Sequence, residues 1–299
     1  MDSVLGLQVG SAIFLNVAFA WLVGSWLARR WMSAVGASKT DTEHLLGSAD
    51  IFAGALGVLA GCAGLWASAA VMGGVSLAEA KDLVWQMLTM TSIGRAGYIS
   101  LGALALALAI RAYRSTAAWR EWAVLAALGV FAFVRASMGH AGENGYWTIP
   151  FAAEVVHLTA MGAWTGLVFV SAWKAMGADA LQDDSNRMGG YLEAMSVAAT
   201  VAVIAIFATG LFNSWHRVGT VDNLLGGTLY TTALLVKVAL VAVALLLGGY
   251  NKFFGLALAR NSAQGIARVK FALKVESIVL LAVLFAAAVL TAQQPPAAM

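Results

Sequence analysis

A chain of 299 residues that is 61% hydrophobic and 11% charged is too apolar for a water-soluble domain, in which about a quarter of the residues are charged. The formal net charge of +3 is too small to indicate a nucleic-acid partner. The single cysteine, Cys62, excludes an intramolecular disulfide and any metal or redox site built on a cysteine pair.

The apolar residues fall into eight blocks of about 20 residues or more, the length that an α-helix needs to cross a hydrocarbon core roughly 30 Å thick. This pattern predicts an all-α fold, a polytopic membrane helix bundle with about eight transmembrane helices, and one membrane domain over residues 1–299. The first residues lack the basic start of a cleavable signal peptide, so the first block is expected to remain as a helix. The predicted spans are 4–27, 49–72, 94–113, 119–139, 150–175, 191–216, 228–251 and 271–292.

Lysine and arginine are distributed unevenly between the two sides of the predicted bundle. If the N-terminus faces outward, thirteen of them fall in the inner loops and at the inner helix ends, against Lys81, Arg95 and Arg217 on the outer side. Positive residues concentrate in the cytoplasmic loops of membrane proteins. Both termini are therefore expected to face outward.

Two segments of the N-terminal half have a specific pattern. The second span carries Gly57 and Gly61, a small-xxx-small spacing whose usual role is close helix packing. The segment 76–92 is too polar to span and is expected to form an amphipathic helix on the outer surface. Its Met87 and Met90 form an MxxM pair, which either receives a soft metal ion weakly from a donor or serves in packing.

The fifth span contains an unusual polar stripe. Pro150 stands at its first turn, where the missing N–H of proline has no cost. Glu154, His157 and Met161 follow at steps of three and four residues and therefore share one helical face. Ionisable groups inside a membrane are costly, and they usually face the interior of a bundle or a water-filled path. We interpret the stripe as part of a metal site near the outer face.

Three of the four histidines lie toward this outer face. His140 ends the fourth span, His157 lies in the fifth and His216 ends the sixth, whereas His44 falls in a charged inner loop. Imidazole with thioether suits copper, Cu(I) especially, better than it suits calcium or magnesium. Hydrogen bonding between helices is the alternative role for each histidine, and packing is the alternative for each methionine. The candidate metal ligands are His140, His157, Met161, Met138, Glu154 and His216.

The roles of the charged residues within the spans stay open at this stage. Glu154 either binds the metal, pairs with Arg135 of the preceding helix, or carries a proton as the metal passes. Arg135 and Lys237 can instead serve as structural partners of carboxylates.

Two further polar features lie in the C-terminal half. Thr209, Asn213 and His216 recur at four and three residues, which aims a polar stripe of the sixth span at the same outer region. Glu276, in the last span, either receives a cation or pairs with Lys274 or another neighbour.

Motifs for active pumping do not occur in the sequence. There is no GxxxxGK[ST] phosphate loop, which excludes ATP hydrolysis of that class. No large cytoplasmic domain and no Cys-Pro-Cys motif are present, which excludes the copper-pumping ATPases. The chain is not expected to be an enzyme, and any transport is passive, handed over by a partner, or coupled to a gradient.

Six runs of the sequence carry a resemblance to a known family. They are GHAGENGYW, EVVHLTAMGAWTG, ATGLFNSWHRVG, GTLYTTALLVKVAL, GGYNK and KVES, in this order. Their order and spacing resemble the CopD/PcoD family of copper-resistance membrane proteins over about residues 120–295. The first 110 residues are similar to the family in hydrophobic layout alone.

The resemblance implies an eight-helix protein of the bacterial inner membrane that takes up or passes a copper ion from the periplasm. Such proteins commonly act beside a soluble periplasmic copper carrier of the CopC type. With the orientation above, both termini would be periplasmic. The family's motif histidines fall on His140 and His157 of this chain. Further polar or aromatic motif positions fall on Trp164, Asn213, Lys237 and Asn251.

The leading hypothesis is copper transport or transfer across the inner membrane through a histidine and methionine site. The alternative is a haem-binding membrane redox protein, since histidines on neighbouring helices can serve as axial haem ligands. A haem requires two histidines at matched depth. The sequence predicts that His157 lies deeper than His140 and His216, which counts against haem.

Overall fold

The chain forms a bundle of α-helices, and the residues that the structure describes contain no β-strand. This computed structural model describes residues 2–113, 117–143, 145–182, 184–225 and 227–293, with their side chains except those of Asp2, His140, Leu225, Arg260 and Asn261. The predicted all-α fold is confirmed. The helices are α1 (Asp2–Ala34), α2 (Lys39–Gly73), α3 (Lys81–Met90), α4 (Ser92–Ala112), α5 (Trp119–Ser137), α6 (Ile149–Trp173), α7 (Asp179–Gln182), α8 (Ser185–Val218), α9 (Val221–Leu225), α10 (Leu229–Tyr250), α11 (Leu256–Asn261) and α12 (Ala263–Thr291).

Seven helical segments in the described ranges are long and apolar enough to cross a membrane, which establishes a multi-pass membrane protein. They correspond to seven of the eight predicted spans. These segments are Ser3–Ala34, Lys39–Gly73, Ser92–Ala112, Ile149–Gly177, Ser185–Val218, Leu229–Ala259 and Ala263–Thr291.

The remaining predicted span, 119–139, forms helix α5, which is less apolar because it carries Arg120, Glu121 and Arg135. It nevertheless runs along the bundle beside α1. At one end the rings of Trp122 and Trp26 are 6.1 Å apart, and further along those of Phe131 and Phe19 are 4.9 Å apart. Helix α5 therefore packs along α1, with its charged residues close to its two ends.

A network of buried charges joins four helices at one end of the bundle. Asp50 of α2, which is fully buried, accepts hydrogen bonds from Trp21 Nε1 at 3.1 Å, Ser25 Oγ at 2.8 Å and Arg29 Nη2 at 2.8 Å, all from α1. Arg111 Nε of α4 lies 3.5 Å from the same carboxylate. We call this end the inner end, following the predicted orientation, and the opposite end, which holds Glu154, the outer end.

Two glutamates at the inner end balance the arginines. Glu43 lies 2.5 Å from Arg29 Nη1, and Glu121 of α5 accepts two bonds from Arg111, at 2.5 and 3.0 Å. Arg120 is also buried and donates to the carbonyl oxygens of Ile110 and Arg111 at the end of α4. Each buried charge is thus compensated by an opposite charge or by backbone acceptors, which burial in a membrane requires.

Helices α1 and α6 cross with their backbones in contact. A Cβ atom on Gly24 would overlap the backbone of Gly166, and one on Gly166 would overlap the carbonyl oxygen of Ala20. Small residues at such a crossing allow the close approach on which helix association in membranes depends. Gly57 and Gly61 of α2 also have the predicted packing role, although they lie against side chains of α1 and α4 rather than backbone.

The polar segment between the second and third predicted spans contains the short helix α3. Its two methionines do not share a face as the MxxM spacing suggested. Met87 is 4% exposed and packs in an apolar cluster, whereas Met90 is 79% exposed. The two sulfur atoms are therefore not presented together to a donor, and the structure does not support a receiving site on this pair.

Candidate metal site

His157 lies on α6 and faces α8. Its Nδ1 is 3.0 Å from Thr209 Oγ1, and Gly210 leaves room for the ring, since a Cβ there would lie 3.3 Å from His157 Cε1. Thr209 donates its own hydroxyl hydrogen to the carbonyl oxygen of Ala205 at 2.6 Å, so we assign the ring proton of His157 to Nδ1, which then donates to the threonine oxygen. In this tautomer Nε2 keeps its lone pair, the form in which an imidazole held through its other nitrogen binds metal.

Glu154, one turn closer to the outer end, already has partners from α8. Its Oε2 accepts hydrogen bonds from Asn213 Nδ2 and Arg217 Nη2, both at 2.9 Å. The sequence left open an ion pair of Glu154 with Arg135, whereas the structure pairs Glu154 with Arg217. The four-residue spacing of Thr209, Asn213 and Arg217 places all three on the face of α8 that meets α6. That spacing was the sequence signal for Arg217.

Basic residues outnumber acidic ones around His157. Arg135 of α5 and Lys237 of α10 lie within electrostatic range of Glu154. Lys237 and Arg217 also lie within electrostatic range of His157, where their positive charges oppose a further positive charge. Two cations thus act on the imidazole, and a third, Arg135, acts on the neighbouring Glu154. Because repulsion grows with the charge of the bound ion, this environment disfavours a divalent metal ion more than a monovalent one.

Two of the predicted ligands near the mouth of the site, His216 and Met138, make other contacts. His216 is exposed on α8 and stacks on Phe212, with ring centroids 6.0 Å apart. Met138 belongs to the apolar cluster that also contains Met87. His140 begins a short 3₁₀ turn after α5, and its side chain lies outside the described part of the structure.

Met161 remains close to His157 through the geometry of α6. It lies one turn deeper on the same face and is partly buried. No group of three or more histidine, cysteine, aspartate or glutamate side chains occurs among the described residues, so a site here cannot be a cage of hard or charged ligands drawn from them. What the described residues offer is one imidazole nitrogen with one thioether, a soft pair that suits Cu(I).

The surplus of positive charge gives a prediction for Arg217. Replacing Arg217 by glutamine removes one unit of positive charge beside His157 and keeps a hydrogen-bond donor near Glu154. At an effective dielectric constant of about 20 and a separation of about 8 Å, that charge costs a monovalent cation about 2 kcal/mol. We expect Arg217→Gln to bind Cu(I) roughly 30-fold more tightly in a competition titration against a chelator of known affinity.

The matched control for this titration is Arg187→Gln. Arg187 lies at the opposite end of the same helix and pairs with Asp184 at 3.6 Å on the surface. Its replacement is expected to leave the affinity unchanged. Equal or weaker binding by the Arg217 variant would contradict the electrostatic argument.

Comparison with family models matches both halves of the chain. Residues 1–149 match the model described as copper resistance protein D-like, N-terminal domain, and residues 189–290 match copper resistance protein D. The first match extends the likeness into the N-terminal helices, where the sequence had indicated similarity in hydrophobic layout alone. Neither the curated proteins nor the solved structures gave a significant match.

Proposed function

This chain belongs to the copper resistance protein D family, and from this premise we propose that it takes copper from the periplasmic side of the bacterial inner membrane and transfers it across. The family and the seven apolar helices establish a copper-related membrane function; the transfer and its route are our proposal. We propose that one membrane domain comprising the whole chain acts as a transporter rather than an enzyme.

The observation that carries the proposal is the hydrogen bond between His157 Nδ1 and Thr209 Oγ1 at 3.0 Å. With the ring proton assigned to Nδ1, Nε2 would serve as a metal ligand at the outer part of α6. Met161, one turn deeper, is the next soft ligand inward. Cu(I) would be bound first by His157, with His140 at the mouth, and would then pass to Met161. Glu154 would offset part of the ion's charge, although its carboxylate is shared with Asn213 and Arg217.

Met138 and His216 have a smaller part in this proposal. Met138 lies in the apolar cluster at the outer end, and His216 is exposed at the end of α8. Both are near the surface at which a soluble periplasmic carrier of the CopC type would deliver copper. We propose such a carrier as the donor.

The test is copper stoichiometry and uptake by the purified full-length protein. We expect about one copper per chain by mass spectrometry, and accumulation of Cu(I) in proteoliposomes above that in empty liposomes. The visible spectrum is expected to lack a Soret band, which would instead indicate the haem alternative. Protein that binds no copper, or liposomes that accumulate none above the empty control, would overturn the proposal.

The orientation, with both termini in the periplasm, is also part of the proposal. After removal of Cys62, single cysteines at the exposed positions Ser38 and Gln264 should be protected from an impermeant thiol reagent in sealed cells with a permeabilised outer membrane. A cysteine at Trp147, in the fully exposed loop before α6, should react. Labelling of a cysteine at Ser38 would show that the topology is the reverse of the one proposed.

A further inference from the structure

A second polar cluster lies deeper in the bundle, at Glu276 of α12. This side chain is 1% exposed. One of its oxygens, Oε1, accepts from Trp164 Nε1 of α6 at 3.2 Å, and the other, Oε2, accepts a long bond of 3.4 Å from Asn251 Nδ2. We call Glu276, Asn251 and Trp164 the inner carboxylate cluster.

Glu276 has no ion-pair partner among the described side chains. Lys274, two residues earlier, lies over the Trp173 ring, 5.0 Å from its centroid, and Lys252 donates to Thr200 Oγ1 at 2.8 Å. The carboxyl group of Glu276 is buried and interacts with Trp164 and Asn251, and no charged side chain among the described residues interacts with it. Several charged or titratable groups lie on α12 and on the elements packed against it. They are Asp2, Arg29 and Arg30 of α1, Glu154 and His157 of α6, Tyr230, Lys237 and Tyr250 of α10, Lys252 in the turn after α10, Arg260 of α11, and Arg268, Lys270 and Lys274 of α12 itself; the side chains of Asp2 and Arg260 are not described.

The cluster also contains an acceptor without a donor. Asn251 is 4% exposed, and its Oδ1 has no hydrogen-bond partner among the residues that the structure describes. It opens a π-helical turn, Asn251–Gly255, and such turns recur at functional sites. Glycines leave space around both acceptors, since a Cβ on Gly248 would lie 3.3 Å from Glu276 Oε1, and one on Gly255 would lie 3.3 Å from Asn251 Oδ1.

An ionised carboxylate in this setting is costly. Within the membrane it would be a buried anion with two neutral donors, one of them at 3.4 Å, and without a cation. A protonated carboxyl group is neutral and gains a donor, which is what Asn251 Oδ1 lacks. Because an amide rotated by half a turn exchanges its nitrogen and oxygen, Asn251 can serve either form of the carboxyl group.

We propose that Glu276 is a proton-binding site in the interior of the bundle and that Asn251 responds to its protonation. When a proton adds to the carboxylate, the new O–H donates to Oδ1 of the rotated amide. When the proton leaves, Nδ2 returns to the carboxylate oxygen. The step adds and removes one proton and involves no change of oxidation state.

The position of the cluster relates it to the candidate copper site. His157, Met161 and Trp164 follow at four and three residues on one face of α6, and Trp164 lies about 10 Å deeper than His157. The proton site therefore lies along the route proposed for copper. Exchange of copper for a proton rests on the proposed function, whereas proton binding by Glu276 does not.

The test is infrared difference spectroscopy on the metal-free protein, which is independent of copper transport. We expect a carboxylic acid C=O band that remains at pH 6, shifts to lower frequency in D2O, and is lost in Glu276→Gln. Exposed carboxylates are ionised at that pH. Glu79→Gln, on the outer surface, is the control and should keep the band.

A second variant keeps the test decisive if Glu276→Gln does not fold. Trp164→Phe removes the donor to Oε1 and should move the band to higher frequency without abolishing it. A band unchanged in both variants, or no such band in the wild type, would overturn the proposal. In proteoliposomes, Glu276→Gln should bind copper in the wild-type ratio but lose the acceleration of uptake by a pH gradient. If a pH gradient accelerates copper uptake by Glu276→Gln as much as by the wild type, the exchange of copper for a proton at Glu276 is wrong, whereas proton binding by Glu276 is still decided by the infrared result.

Discussion

Replacing His157 by alanine is expected to abolish stoichiometric copper binding while the protein remains folded in detergent. Among the described candidate ligands, His157 alone combines a position inside the bundle with an imidazole ring that is oriented by a hydrogen bond to Thr209. The mutation leaves Met161 as a thioether without its imidazole partner. Its structural cost is modest because the ring packs against a glycine, Gly210, and loses one hydrogen bond to Thr209.

Metal analysis after gel filtration measures this effect, and two histidines serve as controls. His44 on α2 and His216 on α8 are both exposed, and alanine at either position should leave the copper ratio unchanged. Thr209→Val is a graded variant, because it keeps the shape of the side chain and removes the acceptor for Nδ1–H. Loss of such a partner typically weakens metal affinity about 10- to 100-fold. Wild-type affinity in His157→Ala would place the site elsewhere.

Replacing Asp50 by asparagine is expected to destabilise the bundle by about 3–5 kcal/mol, the usual cost of removing one partner from a buried ion pair. Asp50 receives hydrogen bonds from three side chains of α1 and lies beside Arg111 of α4. The variant leaves two buried guanidinium groups with less negative charge around them. The loosened contacts are those that hold α1, α2 and α4 together at the inner end.

Thermal unfolding in detergent, followed by far-ultraviolet circular dichroism, measures the loss of stability. Asp41→Asn is the control, since Asp41 lies in the first turn of the same helix and is exposed. Its replacement should change the stability by no more than about 0.5 kcal/mol. If Asp50→Asn and Asp41→Asn unfold at the same temperature, the buried charge network does not contribute to stability in the way proposed.

The order of the long apolar helices, and seven of the eight predicted spans, followed from hydrophobic block length, but the helix ends did not. Helix α2 begins at Lys39, ten residues before the predicted span starts at 49, and α8 begins at Ser185 rather than 191. Hydropathy detects the part of a helix that lies in hydrocarbon, whereas the helix continues where backbone hydrogen bonds remain favourable outside it. In helix α5, charged residues lie within a predicted span. Arg120 bonds to a backbone carbonyl and Glu121 pairs with Arg111, and such contacts between helices cannot be read from hydropathy.

The sequence predicted which site residues share a face of one helix, but it predicted less well which residues of different helices meet. The spacing of Glu154 and His157 placed them on one face of α6, and Thr209 and Asn213 do meet them from α8. The prediction continued that stripe to His216, whereas the structure continues it through Arg217. Three residues turn a helix by about 300° and four by about 400°, so His216 and Arg217 lie on opposite sides of the stripe's axis. The choice depends on how α6 and α8 are rotated against each other.

The crossing of Gly24 and Gly166 also has a consequence for biosynthesis. The two glycines are separated by roughly 140 residues, and at a synthesis rate of about 5–20 residues per second the interval between them is roughly 7–30 s. During that time α1 is in the membrane with the groove that α6 will occupy still open to lipid. A nascent chain that stalls before α6 thus presents a bare glycine groove, which favours association with the wrong helix and removal by quality control.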